Sequence, residues 1–490
     1  MPLLQFGEFK PDIADYEAQA TKNVLNVIPR GDGYGPFPSF AGYSQALPAA
    51  CRGAFYALKS DGSVITFAGT ATKLYQLNNT TFGWTDVSKA AGTYSTLTAS
   101  AQWQFAQTGN LVFATQANAP LQVFDLSSSS AFADASGSPP QAAYISVVGR
   151  FLVLSGLLST PYRIQWSGLN NFNAANSWTS GVQSSDYQDF PDGGIVRGVA
   201  GGEAGIVFQD QAIRRMSYIP GSPLIFQIDR ISQDKGLYAP YSIIRAGERI
   251  FFYSSQGFQK IDPGGIPVQI GRERVDRTFG ADLDKGNLQL MIGASDPRTS
   301  RVYWSYKSAN GQTSLYDKIL GYDFVLDKFF TIEASGEYLL GISQTGLTLE
   351  SLDSISSSID AMTLSLDAYA TAVQPEIAQF DSNHQLGFFR GSNLEATLQS
   401  GEQGSDENRI TVRGFRPITD AAALYGSLSY RDTAQATSTD TAEVAISTRT
   451  GRVDMMRDAR YQRFKVRIPA GTEWTFCAGV VPDVLEGGAL

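Results

Sequence analysis

A strand–turn–strand unit recurs roughly every 47 residues through the first two-thirds of this chain, and few architectures tolerate such a period. Its starts fall near Ala54, Gln102, Ala143, Ile195, Tyr241, Gln289 and Tyr338. Short strands repeated at this length read as one propeller blade per repeat. The first unit shows the pattern. Phe55-Tyr56-Ala57-Leu58 turns at Asp61-Gly62 into Val64-Ile65-Thr66-Phe67-Ala68, and Gly69-Thr70 leads to Lys73-Leu74-Tyr75-Gln76-Leu77. Alternating apolar residues with Gly-containing turns signal hairpins. Later units carry middle strands of large apolar residues, such as Phe151-Leu152-Val153-Leu154 and Ile250-Phe251-Phe252-Tyr253. A strand apolar on both faces packs between two neighbouring sheets. The expectation is an all-β chain: a six-bladed β-propeller over residues 51–350, with seven blades as the alternative, and a C-terminal β-sandwich-like domain. The leftover strand Tyr338-Leu339-Leu340-Gly341-Ile342 is expected to close the ring by pairing with strands from elsewhere in the chain, which removes an exposed edge.

Composition supports short strands and tight turns. Charged residues are 17%, aromatics 12%, and Gly contributes 48 of 490 residues. The net charge is −9, from 38 basic and 47 acidic residues. Tight binding to a phosphate backbone is driven by counterion release onto Lys and Arg, so an acidic chain is a poor candidate for it. Cys51 and Cys477 lie at opposite ends with no CxxC, which fits folding in a reducing cytoplasm. Met1 to Phe6 lacks a charged segment followed by a long apolar run, so no signal peptide is expected. No stretch reaches about 18 apolar residues, so no membrane-spanning helix is expected.

Residues 1–50 read as an N-terminal arm that packs on the body or on a neighbour. Asp12 to Leu25 is expected to form a short helix, after which Pro29, Gly31, Gly33, Gly35, Pro36 and Pro38 break regular structure. Residues 351–375 read as an acidic linker. Ser351-Leu352-Asp353, Ser358-Ile359-Asp360 and Ser365-Leu366-Asp367 recur every seven residues. Leu352, Ile355, Ile359, Met362, Leu366 and Tyr369 alternate spacings of three and four, which suits either a short heptad helix or a turn-rich extended segment. Residues 376–490 carry short candidate strands at sandwich density.

Side chains able to do chemistry are sparse. His384 is the one histidine, in the turn Asp381-Ser382-Asn383-His384, and no Gly-x-Ser-x-Gly elbow accompanies it. Asp134, Asp186, Asp189 and Asp192 lie in polar loops, where solvation accounts for them, and no pair stands out as facing one cleft. Gly201-Gly202 and Gly264-Gly265 lack the Lys and helix of a phosphate loop. No catalytic residue, metal site or cofactor is expected.

The strongest charge feature is C-terminal: Arg452, Arg457, Arg460, Arg463, Lys465 and Arg467 within sixteen residues. On a strand, Arg463, Lys465 and Arg467 share one face and Phe464, Val466 and Ile468 the other. Either this face is solvated, or it contacts an acidic surface on a partner or a second copy. The candidate acidic surface is Asp353, Asp360, Asp367 and Glu376.

Several stretches resemble the tail hub or nozzle proteins of short-tailed bacteriophages, also described as packaged-DNA stabilisation proteins. They are Phe67-Ala68-Gly69-Thr70-Ala71-Thr72-Lys73-Leu74-Tyr75 with Trp84-Thr85-Asp86-Val87-Ser88, and Arg163-Ile164-Gln165-Trp166-Ser167-Gly168-Leu169-Asn170 with Trp178. The Ser-Leu-Asp repeats belong with them, as does Arg460-Tyr461-Gln462-Arg463-Phe464-Lys465-Val466-Arg467-Ile468-Pro469-Ala470-Gly471 with Trp474. The resemblance implies a virion structural protein, assembled in the host bacterial cytoplasm as a homohexamer below the portal and its adaptor. It further implies attached fibres or spikes, and an axial channel that conducts and retains genomic DNA without reading its sequence. An acidic wall suits such a channel, because cationic walls would retain phosphates. The alternative is a β-propeller carbohydrate-binding lectin or adhesin, with Trp84, Phe172 and Trp178 stacking on sugars. A propeller glycosidase is a third reading, which no visible site supports.

Overall fold

The computed structural model describes residues 3–14, 20–90, 92–296, 298–343, 358, 375–404 and 408–486. It is almost entirely β, with α1 (Asp276–Asp282) the one α-helix among the described residues. The Ser-Leu-Asp repeats, Ser358 apart, lie outside the described residues.

Small antiparallel sheets follow one another along the chain. The first joins Ala54–Leu58, Val64–Gly69, Leu74–Leu77 and Trp84–Asp86. Three more run Gln104 to Asp134, Ala142 to Asp189 and Val196 to Ser232, and a fifth Ile244 to Gln269, each of four strands in chain order. Ile292–Ser295, Arg301–Tyr306, Tyr316–Asp323 and Lys328–Gly336 pair the same way but belong to an eleven-stranded sheet. The last small sheet starts from Tyr338–Ser343, continues through Pro375–Phe380 and Gln385–Asn393, and takes its fourth strand, Pro38–Ala46, from near the N-terminus. Residues 376–393 therefore share a sheet with residues 338–343, and the expected boundary at 376 runs through that sheet.

Neighbouring sheets bury their apolar faces against each other, giving a propeller-like organisation. Phe67 of the first sheet packs edge-on to Phe124 of the second at 5.2 Å. Phe113 and Leu121 of the second share a cluster with Leu152 and Leu154 of the third. Trp166 meets Phe226 at 5.1 Å, Phe208 meets Phe252 at 4.9 Å, and Phe258 meets Trp304 at 4.7 Å. Tyr316 donates its hydroxyl to Gln379 in the last sheet, 2.6 Å away. Trp84 of the first sheet packs on Phe380 of the last at 5.7 Å, which brings the succession back to its start.

Gly69 shows how tightly the sheets approach. A Cβ there would run into the Trp103 indole, whose Nε1 donates to the Thr70 carbonyl at 2.8 Å. Only glycine lets that ring lie across the strand.

The C-terminal part is a two-layer sandwich. One sheet orders Val27–Arg30, Gly33–Pro36, Cys477–Glu486, Ile410–Thr419 and Val453–Ala459, with Leu4–Gln5 also on Cys477–Glu486. The other layer is the far half of the eleven-stranded sheet, running Asn23–Leu25, Ala396–Gln399, Tyr461–Ile468 and Tyr425–Arg431. Phe415 packs on Phe464 between them at 5.3 Å.

The N-terminal segment, residues 3–14 and 20–46, stitches the two parts together; we call it the strap. The helix expected over Asp12 to Leu25 is not what its described residues form. Asn23–Leu25 is a strand, inserted between Lys328–Gly336 and Ala396–Gln399. Val24 and Val27 are fully buried while Leu25 and Asn26 bracket polar contacts, including Glu333 N–H to Asn26 Oδ1 at 2.8 Å. A β-branched residue offered an unpaired edge on each side gains more from two ladders than from a helix.

Candidate functional site

The arginine-rich stretch occupies Val453–Ala459, the turn at Arg460 and Tyr461–Ile468. The expected alternation is present. Phe464, Val466 and Ile468 are buried, and Arg463, Lys465 and Arg467 lie on the opposite, half-exposed face.

That face is occupied by the chain's own carboxylates. Arg467 reaches Glu395 at 2.8 Å and Glu443 at 2.6 Å, and its guanidinium stands 4.5 Å over the Tyr425 ring. Hydrogen bonding from Arg467, then the charges of Arg467 and Lys465, hold the Glu443 carboxyl below the usual range. Glu402, whose side chain is 2% exposed, takes a two-pronged contact from Arg431 at 2.8 and 2.5 Å, with Arg463 at 3.6 Å. Arg452 pairs with Asp454 and Asp483, both at 2.8 Å. Arg457 stacks 3.6 Å over Tyr430, and Arg460 sits half-buried between the two strands. Reversing Arg463 and Arg467 would break these intrachain pairs before it altered any partner contact.

On the acidic side, Glu376 is held by Arg298 at 2.5 Å and Arg390 at 2.6 Å. Asp353, Asp360 and Asp367 lie outside the described residues. The structure does not bring Glu376 to the arginine strand; it binds cations of its own neighbourhood.

The loop carboxylates are each engaged. Asp134 binds Lys89 at 3.2 Å, Asp189 binds Arg163 at 2.6 Å, Asp186 accepts from Ser180 at 2.7 Å, and Asp192 meets Arg214 at 2.7 Å and also Arg230. Each of the four has partners of its own: Lys89, Arg163, Ser180, and Arg214 with Arg230. Among the described residues, no three His, Cys, Asp or Glu side chains cluster as metal ligands.

Sequence reasoning missed the centre around His384. Its Nδ1 lies 2.6 Å from Glu337 Oε1, and Glu337 Oε2 accepts the Cys51 backbone N–H at 2.8 Å. Burial pushes the Glu337 carboxyl up, against the pull of the Cys51 N–H and His384. Burial also pushes the Cys51 thiol well up. The cluster ties the start of the first sheet to the last sheet, which is a closure role. No local pattern pointed to Glu337.

Of the aromatic residues considered for sugar stacking, Trp178 is buried and Trp84 and Phe172 are half-buried. Trp178 is 3% exposed, and Phe172 packs on Phe113 at 6.4 Å. Trp84 Nε1 donates to the Gln45 carbonyl at 2.9 Å. Between the sandwich layers an apolar cleft of about 190 Å³ is lined by Leu4, Ile410, Val412, Phe464 and Val484, and none of these side chains can act as acid, base or nucleophile.

No family model matches this chain, and no curated protein does. Among solved structures it is similar to the extracellular domain of BT4673 from B. thetaiotaomicron. The two are 10% identical with a TM-score of 0.41, over 83% of this chain and 47% of that one, so the match spans about half of that protein. It is also similar to a chain of the mitotic checkpoint complex (10% identity, TM-score 0.38, 78% and 98% covered). A third is dihydro-heme d1 dehydrogenase NirN in complex with DHE (12% identity, TM-score 0.33, 86% and 79% covered). Likeness at this level carries no argument about function. No helix among the described residues is long and apolar enough to cross a membrane.

Proposed function

We propose that this chain is a structural virion protein: a tail nozzle or hub subunit of a short-tailed bacteriophage, acting as a hexameric ring that conducts and retains genomic DNA. The observation that carries the reading is the fusion of propeller-like sheets and sandwich into one body. A continuous eleven-stranded sheet and a strap that crosses both parts make that body. A subunit whose parts are joined by a continuous sheet suits closed cyclic packing. The motif resemblance and the net charge of −9 point the same way.

On this reading the propeller has seven blades. Ile292–Gly336 forms the sixth, although it continues into the sandwich sheet, and Pro38–Ala46 closes the seventh. The domain division then becomes a strap over 1–50, blades over 51–350 together with 376–393, a linker over 351–375, and a sandwich from 394 onward. The bore for duplex DNA lies between subunits, and adaptor and fibres attach around it. The chain acts mechanically and is not an enzyme. Arg463 and Arg467 of the Tyr461–Ile468 face meet carboxylates of the chain itself, so subunit contact relies on shape as well as on charge.

Electron microscopy of the purified full chain, alone and with its portal adaptor, tests this. Six-fold rings with a duplex-wide bore are expected. Solitary particles under both conditions would overturn it.

A further inference from the structure

The strap's first segment is held at its start by the strand Leu4–Gln5 and the buried rings of Phe6 and Phe9, and from Glu8 to Asp12 it is also fastened to the body by polar groups. α1 has no side-chain cap of its own, since Val275 stands at its N-cap. Asp12 of the strap, 5% exposed, supplies the cap instead. Its Oδ2 accepts the Arg277 N–H at 2.7 Å, and its Oδ1 accepts the Thr278 N–H at 2.9 Å and hydroxyl at 2.6 Å. Arg277 also donates its side chain to the Asp12 carbonyl, and Asp12 N–H donates to the Arg274 carbonyl at 3.2 Å. Glu8 pairs with Arg274, which also holds Asp327 at 3.0 Å.

One group under this fastening is out of balance. Asp276 Oδ1 accepts the Phe258 N–H at 3.0 Å, while Oδ2 is buried with no hydrogen-bond partner. Gly257 and Gly271 press on the carboxyl so closely that a Cβ on either would overlap it. Asp12 and Asp276 both border a polar cavity of about 250 Å³ that Gln256, Gln269 and Arg277 help to line.

We propose that the contact between the strap's first segment and α1 is a pH-responsive latch that tightens in mild acid. The groups that set it are Glu8, Lys10 and Asp12 on the strap, and Arg272, Glu273, Arg274 and Arg277 around α1. Tyr253 and Asp327 approach from the neighbouring strand and turn. Burial first, then the Asp12 charge, raise the Asp276 carboxyl to about 6, against the Phe258 N–H and Arg274. Lifting residues 8–14 from α1 removes the Asp12 charge and part of the burial, so the open state has a lower pKa. A pKa raised in the closed state stabilises closure fully below the open-state value and loses that contribution as pH rises through about 6. Only the part of the shift owed to the strap counts. The expected gain in closure from pH 7 to pH 5 is therefore about three- to tenfold.

Hydrogen exchange by mass spectrometry on the full chain tests this, with rates corrected for the intrinsic effect of pH. The readout is the peptide covering 8–14, because residues 4–6 are held by the sandwich sheet, and the peptide covering Ala396–Gln399 reports global opening. Protection of the first should rise about three- to tenfold from pH 7 to pH 5 while the second stays level. Asp276→Asn should make the strap peptide insensitive to pH. Asp12→Asn, which keeps one of the two capping oxygens but removes the charge, should shrink the pH ratio and guards against misfolding of the first variant. A strap peptide whose protection does not change with pH, or a pH ratio that persists in both variants, overturns the latch.

Discussion

Glu402 illustrates how much of this molecule rests on single charged side chains placed out of water. The carboxylate is buried between Arg431 and Arg463 and joins the strand pair Tyr425–Arg431 and Tyr461–Ile468 from one end. A buried ion pair contributes little over an apolar substitute, but removing one partner leaves the rest uncompensated. Glu402→Ala should cost about 3–5 kcal/mol in urea unfolding. A loss below about 1 kcal/mol, the range of exposed pairs, would show that solvent reaches the site. Arg467 is a different case. Its partners Glu395 and Glu443 are half-exposed or more, so substitution there should be milder. The sequence displayed these arginines plainly, but their partners come from strands and loops far along the chain. For that reason the sequence leaves the face open between solvation and contact with an acidic partner, and the structure adds that Arg463 and Arg467 meet carboxylates of the chain itself.

At the scale of elements, the closing strand Pro38–Ala46 is the most instructive. It pairs with Gln385–Asn393 through two register irregularities, and Gly387 sits opposite Gly42. A Cβ on Gly387 would overlap the Ala41 carbonyl and the Phe40 ring. Gly387→Val should push the closing strand away at a cost of about 1–3 kcal/mol. Limited proteolysis should then cut residues 38–53 at protease levels that spare the parent chain; equal resistance in the two would show that the sheet absorbs the extra volume. Outer strands of the other small sheets are short, Trp84–Asp86, Ala133–Asp134 and Val268–Gln269 among them. Short edges blunt pairing with stray chains. Phe226–Ser232 is longer, and it carries Asp229 and Arg230.

For the whole molecule, one apolar cluster runs without a break from Phe258 and Trp304 through Val24 and Tyr34 to Phe415 and Phe464. The sheets from Ile244 onward and the sandwich therefore share a core with part of the first sheet, and the strap lies in the middle of it, while the sheets from Gln104 to Ser232 pack in clusters of their own. A shared core makes unfolding cooperative. Calorimetry should show one transition for the parent chain. Val24→Asp places an unpaired carboxylate at a fully buried position between the two halves, so it should cost at least about 3 kcal/mol and separate two transitions. A single unshifted transition in that variant would mean that the halves do not depend on the strap.

What the amino-acid order determined by itself is local. Period-two alternation and Gly turns specify hairpins such as Ala54–Leu58 with Val64–Gly69, and the charged and apolar faces of Tyr461–Ile468 follow from the same alternation. Tyr338–Ser343 could be read as an incomplete unit needing strands from elsewhere, because an apolar strand cannot be left with an open edge. Which strands complete it was decided only in three dimensions. Pro38–Ala46 and Asn23–Leu25 find their places because a buried edge there accepts their burial pattern, and no local signal names an edge hundreds of residues away. Glu337, Glu402 and Asp12 acquire their roles in the same way, since a lone carboxylate reads alike in a loop and in a core until the fold supplies its neighbours.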